Sequence, residues 1–164
     1  MQRVRPVSIT HPDHFVNVAR RTAAAAPPGT ALFADQFENP ANMRAHIKTG
    51  NEIWTQTGGR VDAFVCGAGT GGTIAGVSQA LKRHRAGVRV FLIDPPGSGL
   101  YNKVVRGVMY TREEAEGRRL RNPFDTITEG IGINRVTRNF EAAKVDGAFR
   151  GSDREAVEMV RGLL

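Results

Sequence analysis

A single cysteine, Cys66, occurs in the 164 residues, so no internal disulfide can form. One thiol suits a reducing compartment without establishing one. No apolar run approaches the roughly 20 residues that a membrane-spanning helix needs. The opening residues, Met1-Gln2-Arg3-Val4-Arg5-Pro6, hold no apolar signal core. Aromatic residues make up only 7% of the chain and do not interleave with the arginines that dominate its net charge of +7. Those arginines are scattered: Arg20-Arg21, Arg83, Arg85, Arg118-Arg119, Arg135, Arg138 and Arg161. Such scatter reads as a solvated basic surface, and no nucleic-acid partner is expected. His11 and His14 lack a third ligand, so no metal site is expected. Ser78, Ser98 and Ser152 lack the G-x-S-x-G setting of a hydrolase nucleophile. Lysine is scarce as well: Lys48, Lys82, Lys103 and Lys144 each read as surface residues.

The remaining composition, 40% hydrophobic and 24% charged, is that of one ordinary globular domain. Residues 3–9 read as a strand, because Val4, Val7 and Ile9 favour one. Thr10 or Asp13 then caps a helix to about Ala26, with Phe15, Val16, Val18 and Ala19 on its apolar side. Residues 31–33 form a short apolar strand. Asn39-Pro40 opens a helix that runs to about Thr57 and stops at Gly58-Gly59. Residues 62–66 form a buried strand in which Cys66 is an inert thiol, and a glycine loop follows at 67–72. The helix at 72–84 carries Ile74, Val77 and Leu81 on one face, and 88–93 is the next strand. Strand, loop, helix and strand in that order predict an α/β fold with a parallel or mixed sheet flanked by helices. Further on come a turn at 95–99, an exposed helix at 112–120, a break at Glu129-Gly130-Ile131-Gly132 and a strand at 144–150. Ser152 and Glu155 form a capping box for a last helix bearing Val157, Val160, Leu163 and Leu164. No repeat is present. Both ends read as cut, since a strand begins almost at Met1 and the final helix lacks a stop.

Gly67-Ala68-Gly69-Thr70-Gly71-Gly72-Thr73 carries the most information. Its glycines leave consecutive backbone N–H groups unobstructed, and the following helix adds orphan N–H groups and the positive end of its dipole. Thr70 and Thr73 add hydroxyls. This is a cradle for a phosphate group. Spacing alone also allows a dinucleotide: Gly67, Gly69 and Gly72 fit G-x-G-x-x-G, and Asp94 ends the next strand where a ribose-binding acid would sit. An NAD(P)-binding oxidoreductase domain is therefore the alternative.

Upstream residues favour another phosphate. Gln36-Phe37-Glu38-Asn39-Pro40-Ala41-Asn42, then His46, then Thr49-Gly50-Asn51-Glu52-Ile53-Trp54 precede Gly59, Val61-Asp62 and the glycine loop. In that order they resemble the cysteine synthase and cystathionine β-synthase family of fold-type II pyridoxal-phosphate enzymes. Glu129-Gly130-Ile131-Gly132 resembles the family's second glycine turn, and the segment 97–121 resembles a eukaryotic, fungal-type cysteine synthase subgroup. The resemblance implies pyridoxal 5′-phosphate as cofactor, its phosphate held by Gly69, Thr70, Gly71, Gly72 and Thr73, with Gly130 also at the cofactor, its backbone facing the cofactor joined to the substrate. It implies that Gln36 lines the site of a small amino-acid substrate and helps hold its carboxylate. It further implies β-replacement on an activated serine of the O-acetylserine type, with sulfide giving cysteine, and a homodimeric, cytoplasmic or mitochondrial parent. Residues 1–35 would be a remnant of the smaller N-terminal subdomain, and 36–164 most of the larger cofactor-phosphate subdomain.

The same resemblance marks what is missing. The family's serine–valine–lysine segment, whose lysine links to the cofactor and moves the α-proton, has no counterpart here. The asparagine-containing loop is absent too, and the serine that meets the pyridine nitrogen would follow Leu164. No catalytic residue is therefore assigned, and the isolated chain is expected to be inactive.

Overall fold

In the computed structural model, residues 3–4, 7–110 and 126–163 are described. The chain divides into two compact units, with the break between Gln36 and Phe37. The second unit is built on a three-stranded parallel sheet in the order β1 (Ala63–Cys66), β2 (Arg89–Asp94) and β3 (Gly147–Arg150). β1 pairs with β2 from Ala63↔Arg89 to Cys66↔Leu92, and β2 with β3 from Phe91↔Gly147 to Asp94↔Arg150. The helix α3 (Gly72–His84) links β1 to β2 with the boundaries its apolar spacing predicts. Ile74, Val77 and Leu81 are fully buried, as are Val88, Val90 and Leu92 in and before β2. Each such side chain contributes about 1.5–3 kcal/mol by leaving water.

The helix α2 (Ala41–Gln56) lies along α3 at very close range. A Cβ on Gly50 would meet the Ala80 methyl at 2.6 Å, and one on Gly76 would collide with the Met43 carbonyl and with His46. Backbone glycines on both helices thus set their separation. α2 begins one residue later than its sequence suggests, yet Asn39 still does the capping: its side-chain oxygen accepts the Ala41 N–H at 3.0 Å. The helix ends as expected at Gly58 and Gly59, both at positive φ.

One face of the sheet is covered by helices. Ile74 of α3, Leu100 and Val104 of α4 (Leu100–Arg106) and Phe140 of α5 (Arg138–Glu141) pack with Phe64, Cys66, Val90, Leu92 and Ala148. The opposite face carries Val65, Phe91 and Phe149, and Val65 and Phe149 are more than half exposed. β1 is accordingly a half-covered edge strand, not the buried strand its composition suggests. The last helix, α6 (Asp153–Leu163), has its capping box in place, with Ser152 N–H donating to Glu155 at 2.8 Å. None of its residues is buried.

The first unit departs furthest from expectation. The described residues of 3–9 form no strand, and neither do 31–33, where Leu32 is 89% exposed. Asn17 of α1 (Phe15–Ala25) instead donates to the carbonyls of Ile9 and His11 at 2.7 and 2.9 Å, and Arg21 donates to Pro12 at 2.6 Å. A helix side chain thus takes up the Ile9 carbonyl, at the end of the expected strand, in place of a strand partner. The cap of α1 is His14, whose Nδ1 accepts the Val16 N–H at 3.2 Å, not Thr10 or Asp13. The helix expected at 112–120 lies outside the described residues.

Candidate functional site

β1 delivers the chain into the glycine loop, and α3 leaves it. Gly71, at φ 82°, turns the backbone into the helix. The α3 ladder starts with the Ala75 N–H bonded to the Gly71 carbonyl at 3.0 Å. The N–H groups of Gly72, Thr73 and Ile74 therefore have no partner within the helix. No acidic residue occupies this first turn. The 13-residue helix thus presents donors and the positive end of its dipole without a local counter-charge.

Protein neighbours, not only a ligand, require glycine here. A Cβ on Gly69 would strike the Gly130 carbonyl oxygen, one on Gly72 would strike the Asn42 side chain, and one on Gly71 would meet the Phe140 backbone. Hydrogen bonds lock the same packing. The Gly132 N–H donates to the Ala68 carbonyl at 2.8 Å. The Thr137 hydroxyl donates to the Thr70 carbonyl at 2.7 Å and accepts the Phe140 N–H at 3.0 Å, so the cap of α5 also pins the loop. Asn139 reaches across to the carbonyls of Phe37 and Asn39 at 2.8 and 3.2 Å, tying α5 to the approach of α2.

The two threonines are gripped from α2. Asn42 Nδ2 donates to Thr70 Oγ1 at 3.0 Å, and His46 Nε2 lies 3.1 Å from Thr73 Oγ1. In the sequence, Asn42 and His46 figure only within the block that carries the resemblance, and Thr137 not at all. The available signal was the spacing of Asn42 and His46, four apart on one helix face. Nothing in the spacing pointed to Thr137, which reaches Thr70 from 67 residues away.

Gly69, Thr70, Gly71, Gly72 and Thr73 thus run from the loop into the first turn of α3, and Gly130 is brought against Gly69. Gly130 has φ 77° and open space where a Cβ would stand. Gln36 is the last residue of the first unit and is exposed. Cys66 donates its thiol to the Gly67 carbonyl at 3.0 Å, and burial pushes its pKa up, which disfavours the thiolate. Lys82 is not the surface lysine expected. Its side chain is 15% exposed and binds Asp146 at 2.7 Å and the Val88 carbonyl at 2.9 Å, in the last turn of α3, away from the loop.

Asp94 does not read a ribose. It is almost wholly buried, and its Oδ2 accepts the Tyr101 N–H at 2.7 Å, capping α4 from the end of β2. The Gly130–Ile133 segment, moreover, lies between the loop and the turn after Asp94. On one side Gly130 and Gly132 meet Gly69 and Ala68; on the other Gly132 abuts Pro95, and Ile133 exchanges hydrogen bonds with Ser98 at 3.0 and 3.1 Å. A dinucleotide would have to occupy that space, so the NAD(P) alternative falls. The donor set at Thr70–Thr73, free of acids and headed by a helix N-terminus, fits the phosphate of a smaller cofactor.

Comparison with known proteins agrees. Residues 3–164 match the family described as pyridoxal-phosphate dependent enzyme. Across its whole length the chain is 54% identical to cysteine synthase 2 of Schizosaccharomyces pombe, covering 44% of that protein. Over 99% of its length it is 46% identical to a putative mitochondrial cysteine synthase of Saccharomyces cerevisiae, again covering 44%. A solved O-acetylserine dependent cystathionine beta-synthase from Helicobacter pylori superposes with a TM-score of 0.68 at 29% identity, over 88% of this chain and 41% of that one. The chain spans less than half the length of these relatives, but the family match runs through nearly all of it. It belongs to the pyridoxal-phosphate dependent enzymes.

Proposed function

We propose that this chain supplies the phosphate cradle and part of the substrate wall of an enzyme that replaces the leaving group of an activated serine with sulfide. O-Acetylserine and hydrogen sulfide would give cysteine and acetate. The observation that carries this reading is the meeting of the 69–73 loop with Gly130 at the N-terminus of α3. The cysteine synthase relatives from Schizosaccharomyces pombe and Saccharomyces cerevisiae support it.

When bound, pyridoxal 5′-phosphate supplies the electron sink that lets a Cα proton and a β-substituent leave. This chain's residues do the holding. The Thr73 N–H and the hydroxyls of Thr70 and Thr73 bind the phosphate, with the Gly72 N–H shared between it and Thr70 Oγ1. The Gly130 backbone borders the substrate, and Gln36 takes its carboxylate. On this reading residues 1–35 belong to a smaller N-terminal subdomain and 36–164 to the larger one. The full-length enzyme is a homodimer working in the cytoplasm or mitochondria. Three of the four lysines are engaged elsewhere: Lys82 is committed to Asp146, Lys48 pairs with Glu52 at 3.8 Å, and Lys103 donates to the Gly107 carbonyl at 3.2 Å. The chain by itself is therefore a binder without turnover.

Titration of the 164-residue chain with inorganic phosphate and with pyridoxal 5′-phosphate, followed by 31P NMR, tests the reading. Saturable binding of both, with no borohydride-trapped adduct at a single lysine, is expected. Absence of phosphate binding would overturn the cradle. A stoichiometric adduct at one lysine would overturn the claim that the base is missing.

A further inference from the structure

We propose that Asn42 and His46 of α2 are positioning residues that turn the hydroxyl protons of Thr70 and Thr73 outward, so that both threonines act as donors to the bound phosphate. The inference rests on the cradle reading above. A hydroxyl has two lone pairs and one proton. Thr70 Oγ1 accepts from Asn42 Nδ2 at 3.0 Å and from the Gly72 N–H at 3.4 Å. With both lone pairs engaged, only its proton remains to be offered.

Thr73 reaches the same state through a longer chain. Thr49 Oγ1 lies 3.4 Å from His46 Nδ1, and His46 Nε2 lies 3.1 Å from Thr73 Oγ1. Thr55 and Thr57 of the same stretch donate their hydroxyls to the carbonyls of Asn51 and Ile53. Thr49 makes no such bond; among the described residues its hydroxyl is paired with the His46 ring, to which it can donate. Donation from Thr49 makes Nδ1 the acceptor, so the neutral ring carries its proton on Nε2 and donates to Thr73. The Thr73 proton is then free to point away from α2. The order of donation is Thr49 to His46, His46 to Thr73, and Thr73 to phosphate.

The spacing explains why one helix does both jobs. Asn42 and His46 stand one turn apart on α2, while Thr70 and Thr73 bracket the start of α3. The close contact made by Gly76 against His46 and the Met43 carbonyl holds the two helices at the separation these bonds need. Each directed hydroxyl bond to a dianion is charge-assisted, and each replaces a random rotor with a fixed donor.

Long-range 1H–15N correlation on the 164-residue chain identifies the His46 tautomer directly. A proton on Nε2 is expected; a proton on Nδ1 would overturn the proposal. Binding of inorganic phosphate and of pyridoxal 5′-phosphate is then compared for His46→Leu and His46→Gln, with folding followed by circular dichroism. Leucine is expected to weaken both ligands about tenfold, one charge-assisted bond's worth. Glutamine, whose amide N–H can donate to Thr73, is expected to restore most of that loss. If the unaltered chain binds and His46→Leu binds equally well while folded, the positioning role is wrong and the cradle stands. If His46→Leu fails to fold, the tautomer and His46→Gln still decide, because a folded glutamine variant that binds about tenfold more weakly than the unaltered chain excludes the relay. If the unaltered chain binds neither ligand, the cradle and this inference fall together.

Discussion

The carbonyl oxygen of Gly130 sits where a Cβ of Gly69 would have to go. Two glycine turns separated by 61 positions are thereby pressed together, and the two glycines are needed for different reasons. Gly69 is fixed by lack of room. Gly130 is fixed by its backbone, at φ 77° with open space around it. Gly69→Ala should therefore cost about 2 kcal/mol through overpacking. It should also abolish phosphate binding, because the loop must move off Gly130. Gly130→Ala should cost about 1 kcal/mol of backbone strain and leave phosphate binding in place. Chemical denaturation and phosphate titration of the two variants separate these outcomes.

Asp94 offers a second prediction, with a sign. Burial pushes its carboxyl above the ordinary value of 3.8, against the lowering effect of hydrogen bonds from Ser98, Tyr101 and Leu100 and of the Arg150 charge. The folded chain thus holds this proton more tightly than the unfolded one. Ionised Asp94 costs stability at neutral pH, and the cost is relieved as the pH falls through the raised value toward 3.8. Asp94→Asn keeps an oxygen for the Tyr101 N–H and should remove that pH dependence. Asp94→Ala should lose about 1 kcal/mol with the cap of α4. Neither change should alter binding of pyridoxal 5′-phosphate. Urea melts between neutral pH and the ordinary aspartate range, with a cofactor titration, check all three statements.

These two sites also show what a sequence can and cannot disclose. α3 was legible from end to end because Ile74, Val77 and Leu81 repeat at helical spacing and are all buried, and because the glycine loop marks its start. The glycine loop was legible for the same reason: its signal is local. α4 was not, because its cap comes from Asp94, six residues before the helix begins, and the N-cap residue Gly99 has no side chain to signal it. α5 is a four-residue turn whose Thr137 cap serves the loop as much as the helix. The apolar residues at 4–9 and 31–33 satisfy strand propensity, yet such propensity yields a strand only when a partner backbone is present. Asn42 and His46 could be placed on one face of α2, but the threonines they hold lie 28 and 27 residues away, a relation that only the packing of α2 on α3 creates.

Lys82 and Asp146 should govern the acid limit of stability. The lysine's hydrogen bond lowers the Asp146 pKa, assisted by the Val90 N–H and by the charges of Lys82 and Arg89. A depressed carboxylate contributes its stability above 3.8 and loses it as the pH falls through the lowered value. The pair is partly solvated, at 15% and 29% side-chain exposure, so screening limits its worth. Asp146→Asn should cost about 1 kcal/mol at neutral pH and should flatten the loss of stability in strong acid. A melting series across that range, run beside Lys82→Met, checks whether both variants lose the same transition.

Gly76 links stability to the site most directly. An alanine there would push against the Met43 carbonyl and His46, while one at Gly50 would press on the Ala80 methyl and the Val77 backbone. Both changes overpack the α2–α3 contact and should cost about 2–3 kcal/mol each. Their effects on binding should differ. Gly76→Ala moves the turn of α2 that carries His46, so phosphate affinity should fall further than the loss of folded protein explains. Gly50→Ala acts one turn later on α2, beside Ala80, and should reduce binding only as far as it reduces folding. Gly87→Ala, with open space around it, is the neutral control. Phosphate titrations at a temperature where all three variants are folded resolve the question. Equal affinity in the Gly76 and Gly50 variants would mean that the separation of α2 and α3 is only a packing requirement and not a setting of the cradle.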